Sequence, residues 1–186
     1  MMRLNRELEV MLHDFVQTIV AFVSAHQQWA APVAFAVSFA ESFAFLSLIW
    51  PGTAILVGIS ALLAAGGVKF DVLGPAMLAA GAGGALGYAI SYWLGLYYKN
   101  DILKIWPFTR YPNMITRGKT FFDKWGVIGV FLGHFFGPVR AVIPVVAGMY
   151  AMKQTPFQIA NIASAFLWAA GVIAPGYFGM QWFMGG

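Results

Sequence analysis

Four stretches of this chain are nearly empty of charge: Ala30 to Gly66 carries only Glu41, Val72 to Tyr98 none, Trp125 to Met152 only Arg140, and Gln154 to Gly186 none. Runs of that length read as membrane segments, because about 20 apolar residues cross a hydrocarbon core of about 30 Å. Composition agrees, with 60% of the 186 residues hydrophobic and 10% charged, against about 25% charged in soluble domains. A soluble fold of this size would have to expose the surplus. The expected class is an all-α integral membrane protein that crosses the bilayer several times.

The absence of cysteine excludes a disulfide framework and a thiolate metal site. His13, His26 and His134 are too scattered for a metal centre, so no metal and no cofactor is expected. The net charge of +4 is concentrated between apolar segments, where the positive-inside rule accounts for it without nucleic acid. Lys99, Lys104, Arg110, Arg117, Lys119 and Lys124 face only Asp101 and Asp123 there. This basic stretch, 99–124, is expected to be a cytoplasmic loop. Residues 1–28 read as an N-terminal interfacial helix, since Leu8, Met11, Phe15, Ile19 and Phe22 recur at helical spacing opposite Glu9, Asp14 and Gln17. Glu7, Glu9 and Asp14 argue against a cleaved leader.

Residues 29–186 form the expected membrane domain, in two halves. As a single helix Ala30 to Gly66 would be about 55 Å long, so it must turn back, and Pro51-Gly52-Thr53 marks the turn, with two legs that either cross fully or dip in and return as a re-entrant hairpin. Trp125 to Met152 is broken by Gly137-Pro138 and Pro144 into pieces too short to span, the pattern of a re-entrant hairpin. Irregular backbone at membrane depth persists only where protein buries it or it lines a watery cavity. Each half, 30–98 and 125–186, thus holds a Pro/Gly-broken segment followed by an unbroken one. That order predicts two inverted repeats, each a re-entrant hairpin plus a transmembrane helix. Small-residue ladders, Gly83–Gly87 and Gly129–Gly133–Gly137, predict close helix approaches.

A charge at the bilayer centre costs at least about 2.5–3.5 kcal/mol, so Glu41 and Arg140 need a partner or a water-filled site. Two readings stand side by side. In one, the two residues form an ion pair that only joins the halves. In the other, Arg140 binds an anionic group while Glu41 takes up protons or cations. His134, in the same broken segment as Arg140, is either a proton carrier or a hydrogen-bonded core histidine. Asn161, Ser164 and Trp168 share a face of the last segment and read first as packing, with cavity lining by Asn161 and Trp168 the bolder alternative.

The motifs Glu41-Ser42 with Pro51-Gly52-Thr53, Gly84 through Gly95, Phe131 through Arg140, Pro144 through Met149 and Asn161 through Trp168 together resemble the DedA family of bacterial inner-membrane proteins. That resemblance implies two facing re-entrant hairpins, a multi-pass location in the bacterial inner membrane, and movement of lipid across it. Undecaprenyl phosphate is the carrier it suggests. It carries over Glu41 and Arg140 as substrate or proton residues. It also exposes departures, because His134 stands where family members commonly have arginine, and Thr53 and Tyr88 stand where an acid is frequent. Tyr88 joins the expected cavity lining on that ground.

The function expected is therefore a lipid translocase whose partners are membrane lipids and protons. An ion-coupled transporter of a small solute is the alternative. An intramembrane enzyme is disfavoured, since His134 is the only histidine in the broken segments and Gly58-Ile-Ser60 lacks the remainder of a nucleophile elbow, leaving Ser60 as a packing serine. No catalytic residue is assigned.

Overall fold

The computed structural model describes residues 10–185 apart from 12, 13, 16, 20, 24, 45, 48–50, 66–69, 105–108, 111, 137–139 and 141. Among the described residues every regular element is helical. In chain order these are α1 (Ala30–Ser42), α2 (Gly52–Ala65), α3 (Phe70–Tyr98), α4 (Pro112–Gly133), α5 (Ile143–Met149) and α6 (Gln154–Gly185), with 3₁₀ turns at Gln27–Trp29 and Lys99–Lys104.

Length separates these helices into two kinds. Asp71–Lys104 and Gln154–Met184 are long and apolar enough to cross a membrane. By contrast α1 and α2, at 13 and 14 residues, reach only about 20 Å each at 1.5 Å per residue. Their exposed surface is as apolar as their core. Leu78, Ile159, Leu167 and Phe178 on α3 and α6 are more than half exposed, and Trp182 and Phe183 are 85% and 84% exposed. Large apolar patches of this kind mark surfaces made to meet lipid or another apolar phase.

The long helix α3 is the hub, and small residues set how closely its neighbours approach. A Cβ at Gly83 would fall on the Phe35 carbonyl oxygen, and one at Gly87 would lie 2.6 Å from that of Phe39. The glycine ladder thus lets α1 lie directly on α3, as its spacing predicts. At the other end of α3, Gly95 abuts the Val145 carbonyl and Gly148 of α5 abuts that of Tyr92. Gly133 packs against Tyr88 and Ile143, whereas the space beside Gly129 is filled by Phe121 and Trp125 of its own helix. Gly137 lies outside the described residues.

Helix α6 closes the bundle over α2 and α3. Its Trp168, Ala169 and Ile173 join Ile55, Leu56 and Leu73 in the main core. Ser60 is a packing residue there: its hydroxyl donates to the Val57 carbonyl at 2.9 Å and a Cβ at Gly176 would strike it.

Two expectations need correction. The basic stretch 99–124 is largely helical rather than a loop: α4 starts at Pro112 and bends at Gly126, whose φ of 49° and ψ of −123° suit glycine alone. Before the bend, Ile115 and Phe122 pack on Val142, Val145 and Val146, while Arg117, Lys119 and Lys124 are exposed. The second correction concerns the N-terminal helix. Its described residues carry exposed Val10, Met11, Phe15 and Phe22, as an interfacial helix should, yet Val23 is fully buried in the main core. Its last turn is therefore anchored to the bundle.

Candidate functional site

Glu41 is the penultimate residue of α1, and Phe43 leaves the helix in extended conformation (φ −81°, ψ 124°). The tip beyond is tied to α3: the Ala44 amide donates to Ser91 Oγ at 2.9 Å, and that hydroxyl donates to the Gly87 carbonyl at 2.8 Å. Glu41 therefore sits at the helix end facing the break, not ten residues down a leg. Where α2 begins, the Thr53 hydroxyl donates to Glu41 Oε1. Gly52 packs so closely on the carboxylate that a Cβ there would strike Oε2.

The second broken segment supplies the opposing charge. Arg140 Nη1 donates to Glu41 Oε1 at 3.1 Å and Nη2 donates to Ser42 Oγ at 2.8 Å. The two side chains are 4% and 11% exposed. Beneath the guanidinium lies the indole of Trp168, with the ring centroid 4.1 Å from Cζ. The charge pair is thus held between the end of α1, the start of α2 and α6.

The pair is joined by one hydrogen bond, and each partner keeps capacity in reserve. Glu41 Oε2 and Arg140 Nε are both buried and have no hydrogen-bond partner among the described residues. A side-on Arg–carboxylate clamp would use two parallel bonds and gain strength and rigidity from both. Here Arg140 divides its grip between a carboxylate and a hydroxyl.

A second polar group lies behind Arg140. His134 is 1% exposed, its ring centroid 4.0 Å from that of Tyr88. Its Nδ1 is 2.8 Å from Ser164 Oγ, which also donates to the Asn161 carbonyl at 3.1 Å. Ser164 Oγ thus links the imidazole to the backbone of α6. His134 Nε2 and the Tyr88 hydroxyl are buried without a partner among the described residues. Ser164→Ala would leave both imidazole nitrogens unpaired, so its thermal unfolding in detergent should reveal a loss of about 0.6–2 kcal/mol.

With this geometry in hand, comparison with known proteins is informative. A family model, the VTT domain, matches residues 50–178, which include α2, α3, both sides of the second break and most of α6. The chain belongs to the VTT-domain, or DedA, family. Among its DedA relatives, the inner membrane protein YabI of Escherichia coli (strain K12) is 32% identical over 141 residues, covering 75% of this chain and 54% of that protein. The inner membrane protein YghB of the same strain is 30% identical over 146 residues, covering 78% and 65%. An uncharacterized membrane protein of Buchnera aphidicola from Acyrthosiphon pisum is 30% identical over 158 residues, covering 85% and 60%. The chain thus spans 54–60% of the length of YabI and the Buchnera protein. No solved structure gives a significant match.

Of the residues singled out in the sequence, this DedA chain brings Glu41, Gly52, Thr53, Arg140 and Trp168 together. Pro51 immediately precedes α2, and Pro144 lies in the first turn of α5. Pro144 therefore sits in the first turn of a helix instead of forming a tip, which suits a residue with a fixed φ and no N–H. Gly137 and Pro138 lie outside the described residues. Asn161 is a packing residue: its Nδ2 donates to the Ala85 carbonyl at 2.9 Å and to Gln158 Oε1 at 3.1 Å. Ser42 was missed. Its adjacency to Glu41 was the available signal, but only the fold shows that the hydroxyl takes half of the arginine's grip.

Proposed function

We propose that this chain moves an anionic lipid across the bacterial inner membrane, with Arg140 taking the headgroup and Glu41 the counter-charge that it leaves. The observation that carries this reading is the incomplete pairing of Glu41 and Arg140, with Oε2 and Nε buried and without a partner among the described residues. A brace would gain from closing the second bond. A site that must exchange partners gains from leaving it open. Polyprenyl phosphates such as undecaprenyl phosphate match the charge, because a phosphate oxygen is the acceptor a guanidinium binds best.

A groove favours lipid over a small solute. It occupies about 520 Å³ between the N-terminal helix and α1, lined by Ile19, Phe22, Val33, Val37, Ala40 and Leu46 among others. Its lining is almost wholly apolar and includes Ala40, the residue before Glu41. Hydrocarbon fits such a surface; a hydrated solute does not. In this reading α1–α2 and the end of α4 with α5 are facing re-entrant hairpins of two inverted repeats. Their short lengths support it, and α3 and α6 are the crossing helices. The basic face of α4 lies on the cytoplasmic side by the positive-inside rule.

Reconstituted in liposomes, the protein is expected to move a fluorescent polyprenyl phosphate between leaflets and to leave a zwitterionic phospholipid largely in place. Folded protein that moves neither, while releasing a trapped solute under an ion gradient, would replace this reading with the solute transporter.

A further inference from the structure

Among the described residues, every hydrogen bond that Arg140 donates points to the first half of the chain, at Glu41 and Ser42. The last helix presents the indole ring of Trp168 to the guanidinium. Trp168 is 6% exposed and packed in the main core, on the same face of α6 as Ser164, one of whose hydrogen-bond partners is His134. An indole face offers no hydrogen-bond acceptor to a cation lying over it. It therefore attracts the guanidinium without occupying any N–H that an anion would need.

From this division of contacts we infer that Trp168 is the positioning residue that holds Arg140 at membrane depth while its N–H groups pass from Glu41 to an anionic headgroup. The inference rests on the lipid reading above. Its physical basis is that the guanidinium is neutralised at both ends of the exchange, by a carboxylate before and by the headgroup after. Between them it has lost its counter-ion. An unpaired cation is drawn to the ring quadrupole more strongly than a paired one, and most strongly where water is excluded. Trp168 thus acts on the intermediate arrangement and little on either end state. An interaction present mainly in the transition state changes turnover and leaves apparent substrate affinity alone.

Fluorinated tryptophans test this without changing the shape of the core. Mono-, di- and trifluorotryptophan placed at position 168 alone withdraw electron density from the ring in steps. Turnover for the polyprenyl phosphate is expected to fall stepwise with fluorine count, reaching about 2- to 30-fold at three fluorines. The apparent KM should stay constant. A second readout needs no transport. In a Glu41→Gln background Arg140 has lost its carboxylate, so the thermal midpoint should fall with fluorine count more steeply than in the wild-type background.

A flat turnover series with equal thermal slopes in the two backgrounds would overturn the inference and leave the lipid reading intact. A KM that rises while turnover holds would also overturn it, making Trp168 part of the binding surface. If the wild-type protein moved no lipid yet the thermal slopes differed as expected, the lipid reading would fail and the hold of Trp168 on an unpaired Arg140 would stand.

Discussion

Arg140→Gln is expected to stop movement of the anionic lipid, lowering its rate by roughly 10²–10⁴-fold, and to leave the protein inserted in the membrane. The range follows from the about 3–5 kcal/mol typically lost when one member of a buried charge pair is removed, converted at about 1.4 kcal/mol per tenfold. Glu41→Gln should have a comparable effect for a different reason. It leaves Arg140 on Ser42 and the indole alone, still able to hold an anion but without the carboxylate that releases it. The double variant Glu41→Gln/Arg140→Gln separates a brace from a site. Removing both charges together relieves the unpaired charge of either single variant, so thermal stability should return toward that of the unmodified protein. Transport should not return. A double variant that regained both would make the pair only a fastening between the halves.

The second large effect is expected at Gly148. Its Cβ position coincides with the Tyr92 carbonyl oxygen and lies 2.6 Å from the Leu96 amide nitrogen. Both obstacles are backbone, so no rotamer change can make room. Gly148→Val must push α5 away from α3, and with it the Val142–Ile143 turn that follows Arg140 closely in sequence. Overpacking of this kind costs about 1–3 kcal/mol, or about 2–12 °C in melting temperature for a chain of this size. Gly171→Ala and Gly179→Ala are the matched controls, because nothing lies within 4 Å of either Cβ position. They should leave the midpoint unchanged or raise it, since alanine is the better helix former by about 1 kcal/mol. A thermal melt of the three variants in one detergent reads the contrast directly.

The charges were the legible part of the site. In a chain this apolar, a carboxylate and a guanidinium each alone in a long apolar segment are conspicuous, and each has few ways to be satisfied. Their meeting across 99 residues required only that the two broken segments pack against each other. The Gly83–Gly87 ladder was legible for a similar reason, since two glycines one helical turn apart leave a flat face that a neighbour fills. What sequence reasoning missed was set by tertiary contact. Gly148 and Gly95 are single glycines on different helices, and no spacing within either one pairs them. The bend at Gly126 carries no proline to mark it. The basic stretch looked like a loop because its lysines and arginines are dense, but from Pro112 onward it is a helix whose Ile115 and Phe122 pack on α5 while Arg117, Lys119 and Lys124 are exposed. Ser42 and Ser164 were ordinary residues until the fold set them beside Arg140 and His134.

The distance along the chain between the two charges also sets a timetable. Glu41 leaves the ribosome 99 residues ahead of Arg140, roughly 5–20 s at ordinary rates of synthesis. During that interval its arginine does not yet exist. Among the described residues, the side chain hydrogen-bonded to it that is made soon afterwards is Thr53, 12 residues on. The hydroxyl at the start of α2 is thus within the chain well before the guanidinium that completes the site.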